Sequence, residues 1–348
     1  MALRARRVAI IAAAISYLLI PSCRPQQTPQ AESNVDPFFA TDSLIPVERV
    51  TLPETLRYAV QPTEWYDYWM IRLDTLIQDT MRHTSAVRQF YRKVIHAIRP
   101  DGRIEVGLRI DTLIASFTLP DTNGTARSFA YDSRSAGDRT NPEFAHLSAL
   151  LGTEVRMLVT PDGRIDSVFG LDAVLRRLRQ LSTDTIPKAL DPLMERQLEE
   201  QMYLPLQQEY VAFPTAPLDT ARTWRHEYSD VLAAMFPVQN TAEYRIVGAR
   251  PMGGRQLLEI HAVLRSRPQQ RRLQQGPLQV ELRQASLSGR GRILADAQQG
   301  YTVAKEVRLQ SRFEVLLRDT LQQRTESIRQ TANSYVEFRL VQRGWLRK

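Results

Sequence analysis

Apolar and polar residues alternate with a period of two through most of this chain. In RIEVGLRID, residues 103–111, Ile104, Val106, Leu108 and Ile110 fall on one side, with Arg103, Glu105, Arg109 and Asp111 on the other. That is the pattern of a half-buried strand. Val307, Leu309, Phe313, Val315 and Leu317 repeat it against Arg308, Gln310, Arg312 and Glu314. So do Ile328, Ala332, Val336, Phe338 and Leu340 against Arg329, Asn333, Glu337 and Arg339. Alternation sustained this long predicts long antiparallel strands with one wet face.

Turn chemistry punctuates these runs. RPDGRIEV at 99–106 and TPDGRIDS at 160–167 each place Pro-Asp-Gly between extended segments. There proline presets the first turn angle and glycine takes the left-handed position. DAQQGYTV, residues 296–303, is a looser version. The recurrence predicts a meander of hairpins.

The period changes only near the middle. Asn141-Pro142 opens NPEFAHLSALLG with an N-cap residue and a first-turn proline, and Gly152 stops it. Leu171, Val174, Leu175 and Leu178 then recur at helical spacing, and Asp191-Pro192 opens a third helix carrying Leu193, Met194, Leu198 and Met202 up to Pro205. The expected fold is β-rich α+β: long antiparallel strands in one large curved sheet or two sheets, with about three helices in the middle of the chain. Strand-rich halves, 46–140 and 215–348, flank a helical centre at 141–211 within one domain, 46–348.

The N-terminus reads differently. Arg4, Arg6 and Arg7 precede an uncharged, mostly apolar run from Val8 to Ser22 that ends at Cys23, the chain's one cysteine. A basic start, a short apolar stretch and small residues make a signal peptide, residues 1–22. The run is shorter than the ~20 residues a spanning helix needs. Ile20-Pro21-Ser22-Cys23 resembles the bacterial lipobox, in which the cysteine is diacylated and becomes the new N-terminus. The alternative is a plain secretory signal that ends in cysteine by coincidence. A lone thiol in an oxidising compartment favours the lipid. By the same resemblance Arg24, standing where aspartate marks inner-membrane retention, points to the outer membrane facing the periplasm. Residues 23–45, rich at first in Gln, Pro, Ser and Thr, read as a disordered tether holding the body about 25 Å from the bilayer.

The full chain of 348 residues has a formal net charge of +8, and only Lys93, Lys188, Lys305 and Lys348 of its 46 basic residues are lysines. An arginine excess this lopsided more often reflects genome composition than a ligand, and it gives nucleic-acid binding no support because the signal peptide sends the chain away from nucleic acid. The 5 histidines are scattered and suggest no metal cage. Ser288-Gly289-Arg290-Gly291 lacks the leading glycine of a nucleophile elbow, and no cofactor motif stands out.

Two stretches have the composition of a binding surface. EWYDYWMIRL, residues 64–73, sets Trp65 and Trp69 on one side of a strand and Tyr66 and Tyr68 on the other. It is either a central strand buried on both sides or the wall of a hydrophobic cavity with these aromatics at its mouth. LRSRPQQRRLQQG, residues 264–276, offers Arg265, Arg267, Arg271 and Arg272, either as a solvated hairpin loop or as contacts to lipid phosphates or acidic glycans.

LLGTEVRMLVTPDGRIDSVFGLDAVLRRL, residues 150–178, resembles the central signature of an uncharacterised family of bacterial cell-envelope lipoproteins. SLSGRGRILADAQQGYTVAKEV, residues 286–307, resembles its second hallmark. The resemblance implies a β-rich lipoprotein with no assigned activity and carries no catalytic residues over. The first reading is a non-catalytic, membrane-anchored binding or carrier module for an apolar ligand. The second is an assembly lipoprotein engaging another envelope protein, and the third an uncharacterised hydrolase.

Overall fold

The structure is a computed structural model that describes residues 44–346 except 121–125, 183–193, 195–197, 200–201, 203–205, 219–221 and 233–235. Cys23, the signal segment, the tether as far as Ser43 and the Asp191-Pro192 helix start lie outside the described residues.

Among the described residues the alternating runs form fourteen strands of one antiparallel sheet. They are β1 (Ile45–Pro46), β2 (Glu64–Gln78), β3 (Met81–Ile98), β4 (Ile104–Pro120), β5 (Ala126–Asp132), β6 (Glu154–Val159) and β7 (Ile165–Phe169). The second half supplies β8 (Thr223–Leu232), β9 (Phe236–Met252), β10 (Arg255–Pro268), β11 (Arg272–Gln275), β12 (Leu278–Asp296), β13 (Thr302–Asp319) and β14 (Arg324–Trp345). Their order is β1-β9-β10-β12-β13-β14-β2-β3-β4-β6-β7, with β5 on β4, β8 on β9 and β11 on β12. The pairing of β14 with β2, in which Phe338 faces Met70, joins the two halves of the chain into a single sheet.

Alternation decides which residues are buried. Ile104, Val106, Leu108 and Ile110 of β4 pack into the core, each at 6% exposure or less. Residues directly opposite in an antiparallel pair share a face. Tyr91 and Ile95 of β3 therefore join them, through the pairs Tyr91–Ile110 and Ile95–Val106. This face is covered by helical and crossing segments; the other is open.

The cover comes from the middle of the chain. Two short helices, α1 (Ala136–Thr140) and α2 (Ala145–Leu150), precede α3 (Leu171–Leu181), and residues 206–209 are also helical. The expected single helix over Asn141–Gly152 is instead a 3-10 turn, Pro142–Phe144, followed by α2. Asn141 caps the turn by accepting from the Glu143 amide at 3.0 Å. Gly152 closes the segment at φ +66°, its amide donating to the Ile110 carbonyl at 2.8 Å.

Segment 206–213 is fastened across the covered face. The Val211 amide donates to the Tyr58 hydroxyl at 2.7 Å, and the Phe213 amide donates to the Asp162 carbonyl at 2.8 Å. The TPDGR hairpin thus anchors the cover as well as turning the chain. A smaller second core of Phe236, Val280, Leu282, Phe313 and Val315 lies at the far ends of β9, β12 and β13.

Candidate functional site

The strands under the cover leave a space. A cavity of about 260 Å³ lies between the covered face of β2, β3, β4 and β14 and the segments above it. Met70, Leu113, Phe117 and Phe338 form its floor. Leu147 and Leu150 of α2, with Leu198, Met202 and Leu206, line it from the cover. Its size is close to the lower end of the ~300–1,000 Å³ usual for small-molecule sites, and its wall, mostly apolar with a few polar groups, is of the usual kind.

On β2 the covered face continues past Met70 into Arg72 and Asp74, which pair at 2.7 Å, while the β3 Ser85 hydroxyl donates to Asp74 at 3.1 Å. Tyr91, Glu209 and His146 of α2 also line the wall. Glu209 is held by Lys93, whose ammonium lies 4.5 Å from the Tyr68 ring centre and 4.8 Å from that of Tyr210. Such cation–π contacts help a buried ammonium to do without water. The Tyr68 ring stacks on Tyr91 at 5.6 Å, and its hydroxyl donates to the Thr302 carbonyl at 2.7 Å.

Burial governs the protonation of these groups. It pushes the Tyr68, Tyr91 and Tyr210 hydroxyls well above the ordinary phenol range, with the nearby Glu209 charge adding to the effect. Burial lowers His146 to about 4 and Lys305, whose ammonium donates to the Tyr210 carbonyl at 2.9 Å, to about 8. At neutral pH the site therefore presents a neutral imidazole and protonated phenols beside charges that are already paired. Its chemistry suits an apolar body with at most a few hydrogen bonds. Among the described residues, no group of three or more His, Cys, Asp or Glu side chains is placed to hold a metal ion.

The aromatic stretch of β2 is divided by its own pleat. Tyr66 and Tyr68 are buried on the covered face, where the Tyr66 hydroxyl donates to Glu64 at 2.7 Å, but neither lines the cavity; Tyr68 adjoins the site through Tyr91 and Lys93. Trp65 and Trp69 point to the open face, away from it. The Arg92 guanidinium lies 4.4 Å over the Trp65 ring, and Trp69 meets Phe90 at 5.2 Å.

The four arginines also separate. Arg265 and Arg267 project from the open face of β10. Arg271 donates to the Arg283 carbonyl at 3.3 Å, and Arg272 lies 3.5 Å from Glu281.

Reading the sequence did not single out His146, Tyr91, Arg72, Asp74 or Glu209. One signal was available: Arg72 and Asp74 fall on the same parity as Tyr66, Tyr68 and Met70, so a buried row turns polar at the position where the cavity opens.

No curated protein matches the chain. Among solved structures it is similar to lipovitellin, described for its lipid–protein interactions, at 11% identity and a TM-score of 0.48 over 83% of this chain. It spans about a quarter of that protein, 26% of its length. It is also similar to DynF of the dynemicin biosynthesis pathway of Micromonospora chersina, at 7% identity and TM-score 0.17 over 96% of this chain and 98% of that one. OccK7 (OpdD) of Pseudomonas aeruginosa matches at 8% identity and TM-score 0.22 over 80% and 99%. At these scores none of the three bears on function. A family model described as a family of unknown function (DUF6263) matches residues 110–302, from within β4 to the start of β13. That span is more than half of the chain and includes the whole cover of the cavity, and the chain belongs to this family.

Proposed function

We propose that the protein is a non-catalytic binding or carrier module for an apolar ligand, tethered to the outer membrane through lipid on Cys23 and facing the periplasm. The observation that carries the ligand reading is the cavity between the covered face of the sheet and the helical cover. Its walls are supplied by residues far apart in sequence, Met70, Leu113, Leu147, Leu206 and Phe338. Large apolar side chains that surround a space instead of filling it forgo packing contacts, and interiors are ordinarily close-packed. An apolar guest restores those contacts.

The tether reading rests on the sequence of residues 1–23, and several acyl chains on one N-terminus, at about 0.8 kcal/mol per buried CH₂, make a lasting anchor.

Titration of the full chain with N-phenyl-1-naphthylamine, a neutral apolar fluorophore, tests the ligand reading. Saturable enhancement is expected, and it is expected to vanish in Ala115→Phe, which places a ring in the cavity from β4. Enhancement that does not saturate, or that survives Ala115→Phe in a folded protein, removes the cavity as the site.

A further inference from the structure

Two polar atoms in the cavity wall are buried and lack a hydrogen-bond partner: His146 Nε2 and the Tyr91 hydroxyl. They come from opposite sides, one from α2 and one from β3. Tyr91 is 3% exposed, and its ring is fixed by the stack on Tyr68. The Glu209 carboxylate stands close enough to act on this hydroxyl and raise its pKa, but the two do not reach full hydrogen-bond geometry, and Glu209 is engaged by Lys93. Native interiors leave few such atoms unpaired, so each calls for a partner.

The charges around the cavity restrict what that partner is. Arg72 is paired with Asp74, and Lys93 with Glu209, so an anionic head group would enter beside two carboxylates whose cations are already taken. A cationic one would meet the paired Lys93 and Arg72. A hydroxyl carries no charge. It both gives and accepts a hydrogen bond, so it suits the phenol and either tautomer of a neutral imidazole. We propose that the cavity holds an apolar chain ending in a hydroxyl, with His146 Nε2 and the Tyr91 hydroxyl receiving that group. This rests on the binding function proposed above and adds the chemical class of the ligand.

The test is displacement of N-phenyl-1-naphthylamine from the full chain at neutral pH by octan-1-ol, sodium octanoate and n-octane. Octan-1-ol is expected to displace the probe about tenfold better than octanoate, whose charge would be buried beside Asp74 and Glu209. Tyr91→Phe, which deletes a single oxygen, and His146→Leu are each expected to weaken octan-1-ol about threefold or more while leaving octane unchanged. Should His146→Leu not fold, Tyr91→Phe alone decides. Octanoate equal to octan-1-ol, or octan-1-ol unaffected in Tyr91→Phe, overturns the hydroxyl assignment and leaves an apolar site standing; ordered water then satisfies the two atoms. No saturable binding of the naphthylamine overturns both readings.

Discussion

Lys93 on β3 and Glu209 on the covering segment, 116 residues apart in sequence, form a buried ion pair that fastens the helical cover to the sheet. Both side chains are almost fully enclosed, at 8% and 3% exposure. Removing one partner leaves a buried charge uncompensated, which costs about 3–5 kcal/mol, whereas replacing both with apolar groups is often neutral. Lys93→Met and Glu209→Gln are each expected to lose that much in urea unfolding. The double variant Lys93→Met/Glu209→Leu is expected to recover most of it. Additive losses in the double variant would show that the two groups are not coupled.

The two Pro-Asp-Gly hairpins have the same backbone and different surroundings. Gly102 and Gly163 sit at φ +82° and +88°. A Cβ on Gly102 would have the Pro161 ring carbon at 3.4 Å, an ordinary contact; on Gly163 it would stand 2.2 Å from the Val211 carbonyl oxygen and 2.5 Å from the Tyr58 ring. Gly102→Ala is expected to cost about 1–2 kcal/mol for the left-handed backbone alone. Gly163→Ala is expected to cost clearly more, about 3 kcal/mol, because it also pushes the cover away. Equal melting temperatures for the two variants would contradict the hairpin's anchoring role.

Lys305 gives stability a pH dependence of definite sign. Burial lowers its pKa from 10.5 to about 8 in the folded protein, so between these values the unfolded chain binds the extra proton. Stability therefore rises with pH across that window. Above about pH 10 it falls again, because tyrosines such as Tyr68 and Tyr91 ionise in the unfolded chain but are held protonated by burial in the fold. Unfolding free energy measured from pH 7.5 to 9.5 is expected to climb by about 1–2 kcal/mol, and Lys305→Met to flatten that climb. A climb of the same size in Lys305→Met would place its source elsewhere.

The sequence made the strands legible and left their partners hidden. Ile104 to Ile110 announce both a strand and its buried face, and the Pro-Asp-Gly turns announce two hairpins, because both signals are local. The pairing of Met70 with Phe338 decides between one sheet and two, and no local pattern encodes it. The aromatic stretch of β2 lies on a strand that walls the cavity, but the pleat sends Trp65 and Trp69 to the opposite face and leaves Met70, Arg72 and Asp74 at the cavity. His146 was obscure because a histidine inside a short helix looks like any other until the fold buries its Nε2 in the wall of a cavity.

That division of faces is itself testable. Trp69→Ala, on the open face, is expected to leave binding of N-phenyl-1-naphthylamine within about twofold of the parent, while Met70→Trp, one residue along and facing the cavity, is expected to abolish it. Loss of binding in Trp69→Ala with Met70→Trp unaffected would move the site to the other side of the sheet.

The anchor is tested through its one attachment point. Cys23→Ser is expected to shift the protein from the membrane fraction to the soluble periplasm, since no other thiol is available for acylation. An unchanged membrane fraction would contradict lipid tethering at this residue.

Native mass spectrometry of the full chain released from bacterial membranes, set beside its denatured mass, bears most directly on the cavity as a ligand site. The expected result is a non-covalent excess mass of a lipid-like molecule in the parent that is absent from folded Ala115→Phe. Identical native and denatured masses in the parent, or an excess mass that Ala115→Phe retains, would contradict it.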